Sequence, residues 1–171
     1  MVSAFFPGSF DPIHYGHVDI AKRAVRLFDE LIVAVYDRPL KSLLFSPEER
    51  IALVEEAFAD CPKIRVTGYS KLTVDACREA EAQVIVRGLR VFSDFEFEFR
   101  MALANHRLAQ DIESISFITH EEHTFISSTT VKEIAMLDGD VSSMVPPHVK
   151  LALKNKIATM ENHDVANVPR D

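Results

Sequence analysis

Short apolar runs alternate along the chain with longer stretches in which apolar residues recur every three or four positions. The run over 2–6 is broken by Pro7-Gly8, the pattern of a buried strand that ends in a loop. Val18, Ala21, Val25 and Phe28 then follow at helical spacing, which predicts an amphipathic helix over 17–28. A β-rich run over 31–36 predicts a second strand, and a loop with Pro39 and Lys41 follows over 37–45. Ser46-Pro47-Glu48-Glu49 is a helix start: Ser46 can cap, Pro47 suits the first helical position, and Glu49 completes a capping box. Strands are predicted over 63–67, over 83–87 (ended by Gly88) and over 114–119, with helices over 73–82 and 92–108 between them. Ser127 or Ser128 caps a helix through Met136 that Gly139 closes, and Pro147 opens a last helix to about Met160.

This alternation predicts an α/β domain. Strands that are short continuous apolar runs imply a parallel sheet covered on both faces by helices. Such sheets take ligands beyond the carboxyl ends of their strands, where the strand order reverses. One domain is expected over 1–160, with a polar, loose tail over 161–171.

Composition narrows the class. Of 171 residues, 47% are apolar and 26% charged, an ordinary globular balance that argues against disorder. The net charge of −7 sets a general nucleic-acid binder at a disadvantage, while a few converging cations could still hold an anionic ligand. No window approaches the roughly 18 apolar residues of a membrane span, and the N-terminus lacks the pattern of a signal peptide. Cys61 and Cys77 form no C-x-x-C pattern and read as reduced packing residues, so a cytoplasmic location is expected.

Three constellations carry chemistry, the first two directly after a strand and the third at a helix start; the loop over 37–41 also follows a strand. In Pro7-Gly8-Ser9-Phe10-Asp11-Pro12-Ile13-His14-Tyr15-Gly16-His17, Gly8 permits close backbone approach and Ser9 offers a hydroxyl and an N–H. Gly16 and His17 lie where the next helix starts, so orphan N–H groups and the helix dipole favour a phosphate there. His17 adds a ring donor, while His14 either joins it or only shapes the loop. Asp11 is expected to bond its own turn rather than a metal. In Val86-Arg87-Gly88-Leu89-Arg90, two arginines offer forked contacts to phosphate oxygens. In Ile126-Ser127-Ser128-Thr129-Thr130-Val131-Lys132, four consecutive hydroxyls exceed what a cap needs and make a cradle for phosphates. Glu98, in Phe95-Glu96-Phe97-Glu98-Phe99, is either a solvated glutamate or an acceptor for a ribose or base.

Together these motifs resemble the bacterial phosphopantetheine adenylyltransferases, within the broad HxGH nucleotidyltransferase superfamily. The resemblance covers nearly the whole chain, from about Ala4 to Lys156. It implies a Rossmann-like fold, a five-stranded sheet in this chain, and a place in coenzyme A synthesis. It also implies ATP and 4′-phosphopantetheine as substrates, Mg2+ entering with ATP, and a homohexamer. No nucleic acid, membrane or protein-bound metal is expected. Carried over by motif, the catalytic residues would be His17, Lys41 and Arg90. ATP would be held by Ser9, Phe10, His17, Gly88, Leu89, Arg90 and Glu98, and by His123, Thr124, Phe125, Ile126, Ser127, Ser128 and Thr129. The acceptor would meet Ser9, Lys41, Thr73 and Arg87. The chain departs from the family where Ser42 follows Lys41, where Phe97 replaces a frequent Tyr, and where Thr124 replaces a frequent Trp. A cytidylyltransferase, a mononucleotide adenylyltransferase and a silent nucleotide binder are the alternatives.

Overall fold

The computed structural model describes residues 2–39 and 42–166. Its elements run β1 (Ser3–Gly8), α1 (Tyr15–Ala24), β2 (Glu30–Tyr36), α2 (Pro47–Ala57), β3 (Ile64–Tyr69), α3 (Thr73–Glu79), β4 (Val84–Leu89), α4 (Phe92–Leu108) and β5 (Glu113–Ile118). A 3₁₀ turn (Glu121–His123), α5 (Ser128–Met136) and α6 (Pro147–Ala166) complete the chain.

All strand pairings are parallel, in the order β3-β2-β1-β4-β5. The chain builds outward from β1 through β2 to β3, then returns to lay β4 on the other side of β1. That reversal opens a crevice at the carboxyl ends of β1 and β4. Successive side chains of a strand point to opposite faces, and the core divides accordingly. Phe6, Leu31, Val33, Val35 and Val86 pack with Val18 and Ile20 of α1, Val54 of α2, Val131 of α5 and Leu153 of α6. Phe5, Ile32, Ala34 and Ile85 face the other way, onto Val74, Ala76 and Cys77 of α3.

Element boundaries move where tertiary partners extend or replace local signals. The first helix starts at Tyr15, with His14 as N-cap, and ends at Ala24 instead of spanning 17–28. Gly88 does not end β4, because Gly88 and Leu89 still pair with Phe117 and Ile118 of β5. The last helix continues past 160 to Ala166, into the stretch expected to be loose. Ser46 caps α2 by accepting from the Glu49 N–H at 3.2 Å, and Glu49 Oε2 accepts from the Ser46 N–H at 2.7 Å, as the capping-box pattern requires.

Candidate active site

A cavity of about 340 Å3 occupies the crevice beyond β1 and β4. Ser9, His14 and His17 come from the first loop and α1, Arg87, Gly88 and Arg90 from β4 and the turn after it, and Ser127, Ser128 and Thr129 from the start of α5. The three sequence constellations therefore converge on one space.

The first loop is tightly determined. Phe10 is buried with φ of 47°, a region costly for a residue with a Cβ. Its ring packs edge-on against Phe6 and His17, with centroids 5.7 and 4.9 Å away. A Cβ on Gly8 would stand 2.9 Å from two atoms of that ring, so a glycine is needed there for space. His17 stacks on His14 with centroids 3.7 Å apart. The backbone N–H of His14 donates to His17 Nδ1 at 3.3 Å, so the neutral ring carries its proton on Nε2. His14 is pushed down to about 3 by burial, with Arg90 and His123 adding repulsion, and it stays neutral. His14 Nδ1 and Thr119 Oγ1 are buried on the cavity wall with no hydrogen-bond partner among the described residues.

The α5 start uses some hydroxyls for structure. Ser127 Oγ accepts from the Thr130 N–H at 3.0 Å, and Ser128 Oγ donates to the Pro12 carbonyl at 2.9 Å, tying the cradle to the first loop. Arg90 is held by Asp94 and by the Ile126 carbonyl, and Arg87 by Glu98 and the Pro7 carbonyl. The two arginines thus enter the site already oriented.

A second cavity of about 340 Å3 adjoins the first. Tyr36, Tyr69, Thr73, Met101 and Asn105 line it, and Pro7, Gly8, Ser9, Arg87 and Glu98 are common to both spaces. A compartment walled by His17, Arg87, Arg90 and the α5 hydroxyls therefore meets one walled by tyrosines, Thr73, Met101 and Asn105, and they share Pro7, Gly8, Ser9, Arg87 and Glu98 as a partition.

A family model described as cytidylyltransferase-like matches residues 5–134. The chain is 54% identical over 154 residues to the phosphopantetheine adenylyltransferase of Roseiflexus sp. strain RS-1, covering 90% of this chain and 96% of that one. It is 50% identical over 161 residues to the phosphopantetheine adenylyltransferase of Herpetosiphon aurantiacus, covering 94% and 98%. The chain belongs to the phosphopantetheine adenylyltransferases, within the cytidylyltransferase-like family. Among solved structures, a lipopolysaccharide core biosynthesis protein from Thermoplasma volcanium GSS1 shares the fold. Its TM-score is 0.56 at 21% identity, over 71% of this chain and 99% of that one.

Of the residues that the family resemblance implies, Ser9, His17, Arg87, Gly88, Arg90, Glu98, Ser127, Ser128 and Thr129 line the first cavity, and Thr73 lines the second. Lys41 lies outside the described residues. Phe10, Leu89, His123, Thr124, Phe125 and Ile126 are not on the wall of the first cavity. Phe10 and Ile126 are buried behind it, Phe125 is exposed, and Thr124 bonds the His120 carbonyl.

Two residues behave in ways the sequence did not suggest. Asp11 does not bond its own turn. Its buried carboxylate accepts from the Leu44 and Phe45 N–H groups at 2.9–3.1 Å and from Lys132 Nζ at 2.6 Å. Arg50, on α2, is 0% exposed and donates to the carbonyls of Ser9, Tyr36, Asp37 and Phe45. Burial lowers its pKa, while Asp11 and Asp37 oppose that shift. It braces the loops after β1 and β2 from beneath. Within the helical pattern of α2 no local signal marks Arg50.

Proposed function

We propose that the protein joins the AMP part of ATP to 4′-phosphopantetheine, giving dephospho-coenzyme A and pyrophosphate in coenzyme A synthesis. The junction of the two cavities at Ser9 and Arg87 carries this reading. One space suits a nucleotide's phosphates, the other an extended amide-bearing arm, and the reacting groups would meet between them.

An acceptor phosphate oxygen attacks the α-phosphorus of ATP in line. The bond from that phosphorus to the bridging oxygen breaks, and pyrophosphate leaves. A phosphate monoester has a second pKa of about 6, so it is largely a dianion at neutral pH and needs no general base. Catalysis is then positioning and charge stabilisation. His17 would donate from Nε2 to the transferring group, with Arg90 and Lys41 supplying positive charge. Arg87, Ser9, Lys41 and Thr73 would hold the acceptor. Gly88, Leu89 and the segment from His123 to Thr129 would hold ATP, with Ser9, Phe10 and His17 closing over it. Mg2+ would arrive as the substrate's own metal, on ATP. The cavity carboxylates Asp94 and Glu98 are taken up by Arg90 and Arg87, which fits that assignment.

A homohexamer is part of this proposal. Among its described residues α4 buries none, and Phe92, Phe95, Phe97, Phe99, Met101 and Leu103 are all exposed on it, beside Ile118 on the edge strand β5. Such an apolar area on one protomer marks an interaction face. A cytoplasmic location, with soluble substrates, is also part of this proposal. Among the described residues no helix is long and apolar enough to cross a membrane.

Pyrophosphate release tests the reaction, with ATP and 4′-phosphopantetheine as the pair and CTP and nicotinamide mononucleotide as controls. Release only with the first pair is expected. Release with another nucleotide or acceptor would overturn the pathway, and none with any pair would favour a silent nucleotide binder.

A further inference from the structure

The partition between the two cavities contains one ion pair, and its two members are unequally used. Glu98 Oε2 accepts from Arg87 Nε and Glu98 Oε1 from Arg87 Nη2, each at 2.7 Å. Arg87 Nη1 donates to the Pro7 carbonyl at 2.9 Å. A guanidinium has five N–H groups in a rigid plane. These bonds engage three of them, so the plane is fixed while donors remain. The Glu98 side chain is 12% exposed and that of Arg87 31%. Both residues line both cavities; the carboxylate is the more covered of the two, with both oxygens engaged, and the guanidinium is the more exposed and keeps N–H groups to offer.

We infer that Glu98 is a positioning residue for the acceptor: it holds the Arg87 guanidinium in the partition so that the remaining N–H groups receive the acceptor phosphate. This rests on the proposed function. It assigns Glu98 to the acceptor through Arg87 rather than to ATP as a direct ligand. An arginine has many rotamers, and ordering it at the moment of binding would cost affinity. The Pro7 carbonyl by itself leaves the guanidinium free to swing. Glu98 reaches it from α4, eleven residues further along the chain, and sets its plane before any ligand arrives.

The test uses the full-length protein with Glu98→Gln, Glu98→Asp, Arg87→Ala and the double variant Arg87→Ala/Glu98→Gln. Steady-state kinetics read both substrates, and calorimetry reads the Kd for 4′-phosphopantetheine. Glu98→Gln is expected to lower kcat/KM for the acceptor about tenfold, the scale of a misplaced contact, with the KM for ATP unchanged. Glu98→Asp keeps the charge but shortens the reach, and should be impaired in the same direction. The double variant should bind the acceptor no more weakly than Arg87→Ala, because a residue that acts through Arg87 has nothing left to position. Its loss of both partners leaves no unpaired charge, and thermal melting checks that each variant folds.

A raised KM for ATP with the acceptor unchanged would overturn the inference in favour of a nucleotide ligand. Tighter acceptor binding by Glu98→Gln would overturn it in favour of a carboxylate that competes with phosphate. Additive losses in the double variant would overturn it as well. Absence of turnover by the unsubstituted protein is a separate result: it would remove the proposed function, and this inference with it.

Discussion

The His14 ring lies on the His17 ring, with centroids 3.7 Å apart and planes 23° apart, and His17 is the one proposed to donate to substrate. His14 is 4% exposed and held neutral, so it gives His17 a rigid, uncharged backing.

That arrangement makes stability depend on pH. The folded pKa of His14 lies at about 3 against 6.5 for the ordinary group. Above pH 6.5 the group is neutral in both states and favours neither. Between 6.5 and 3 the unfolded chain takes up a proton that folded His14 refuses, so stability falls as pH falls through that window. Between pH 6.5 and 5 the loss from this one group should be about 2 kcal/mol. Urea unfolding at pH 7 and pH 5 checks it, with His14→Gln expected to show a drop smaller by that amount. An equal drop in the variant would mean that other groups carry the acid sensitivity.

His17→Ala removes the proposed donor to the transferring phosphoryl group. Its kcat should fall roughly 100- to 1000-fold, the usual effect of losing one such donor. The far-ultraviolet spectrum and the acceptor Kd should stay close to wild type. Turnover that stays near wild type would remove His17 from the chemistry.

Arg50 should matter to stability and to the site at once. Arg50→Met strips the donor from four backbone carbonyls beneath the loops after β1 and β2. The expected cost is about 3–5 kcal/mol, the range for breaking a buried charged network. Arg50→Lys keeps the charge but not the fork, and should fall between the two. Denaturant midpoints give the stability order, which should be wild type, then Lys, then Met.

Gly8→Ala tests how far Ser9 depends on the packing beneath it. The added methyl would meet the Phe10 ring at 2.9 Å, and that ring is wedged between Phe6 and His17. The ring cannot yield without moving His17. Overpacking of this kind costs about 1–3 kcal/mol. Activity should fall further than stability does, because the displaced atoms belong to the loop that joins the two cavities. A fully active variant would show that the loop relaxes without moving Ser9 or His17.

Much of this protein is legible in its sequence, because the signals are local. Apolar runs and helical spacing place the five strands and six α-helices found among the described residues, since burial acts on periodicity within a few residues. The Ser46–Glu49 capping box and the Ser127 cap are likewise made by neighbours, and both stand where the sequence puts them. Strand-then-loop placement marks the Ser9 and Arg87 segments, and the run of hydroxyls at a helix start marks the Ser127 segment; all three line one crevice. What tertiary structure alone decides is the pairing of polar groups far apart in the chain. Asp11 finds Lys132 and the Leu44 and Phe45 amides, and Arg50 finds the Ser9 and Tyr36 carbonyls, across separations that no local pattern encodes. β4 runs through Gly88 because β5 supplies its partners, although a glycine weakens a strand by itself. Glu98 reads in sequence as a solvated glutamate or a ligand residue. Only the approach of α4 to the end of β4 makes it the partner of Arg87, because an ion pair forms where the fold brings two charges together, whatever their spacing in the chain.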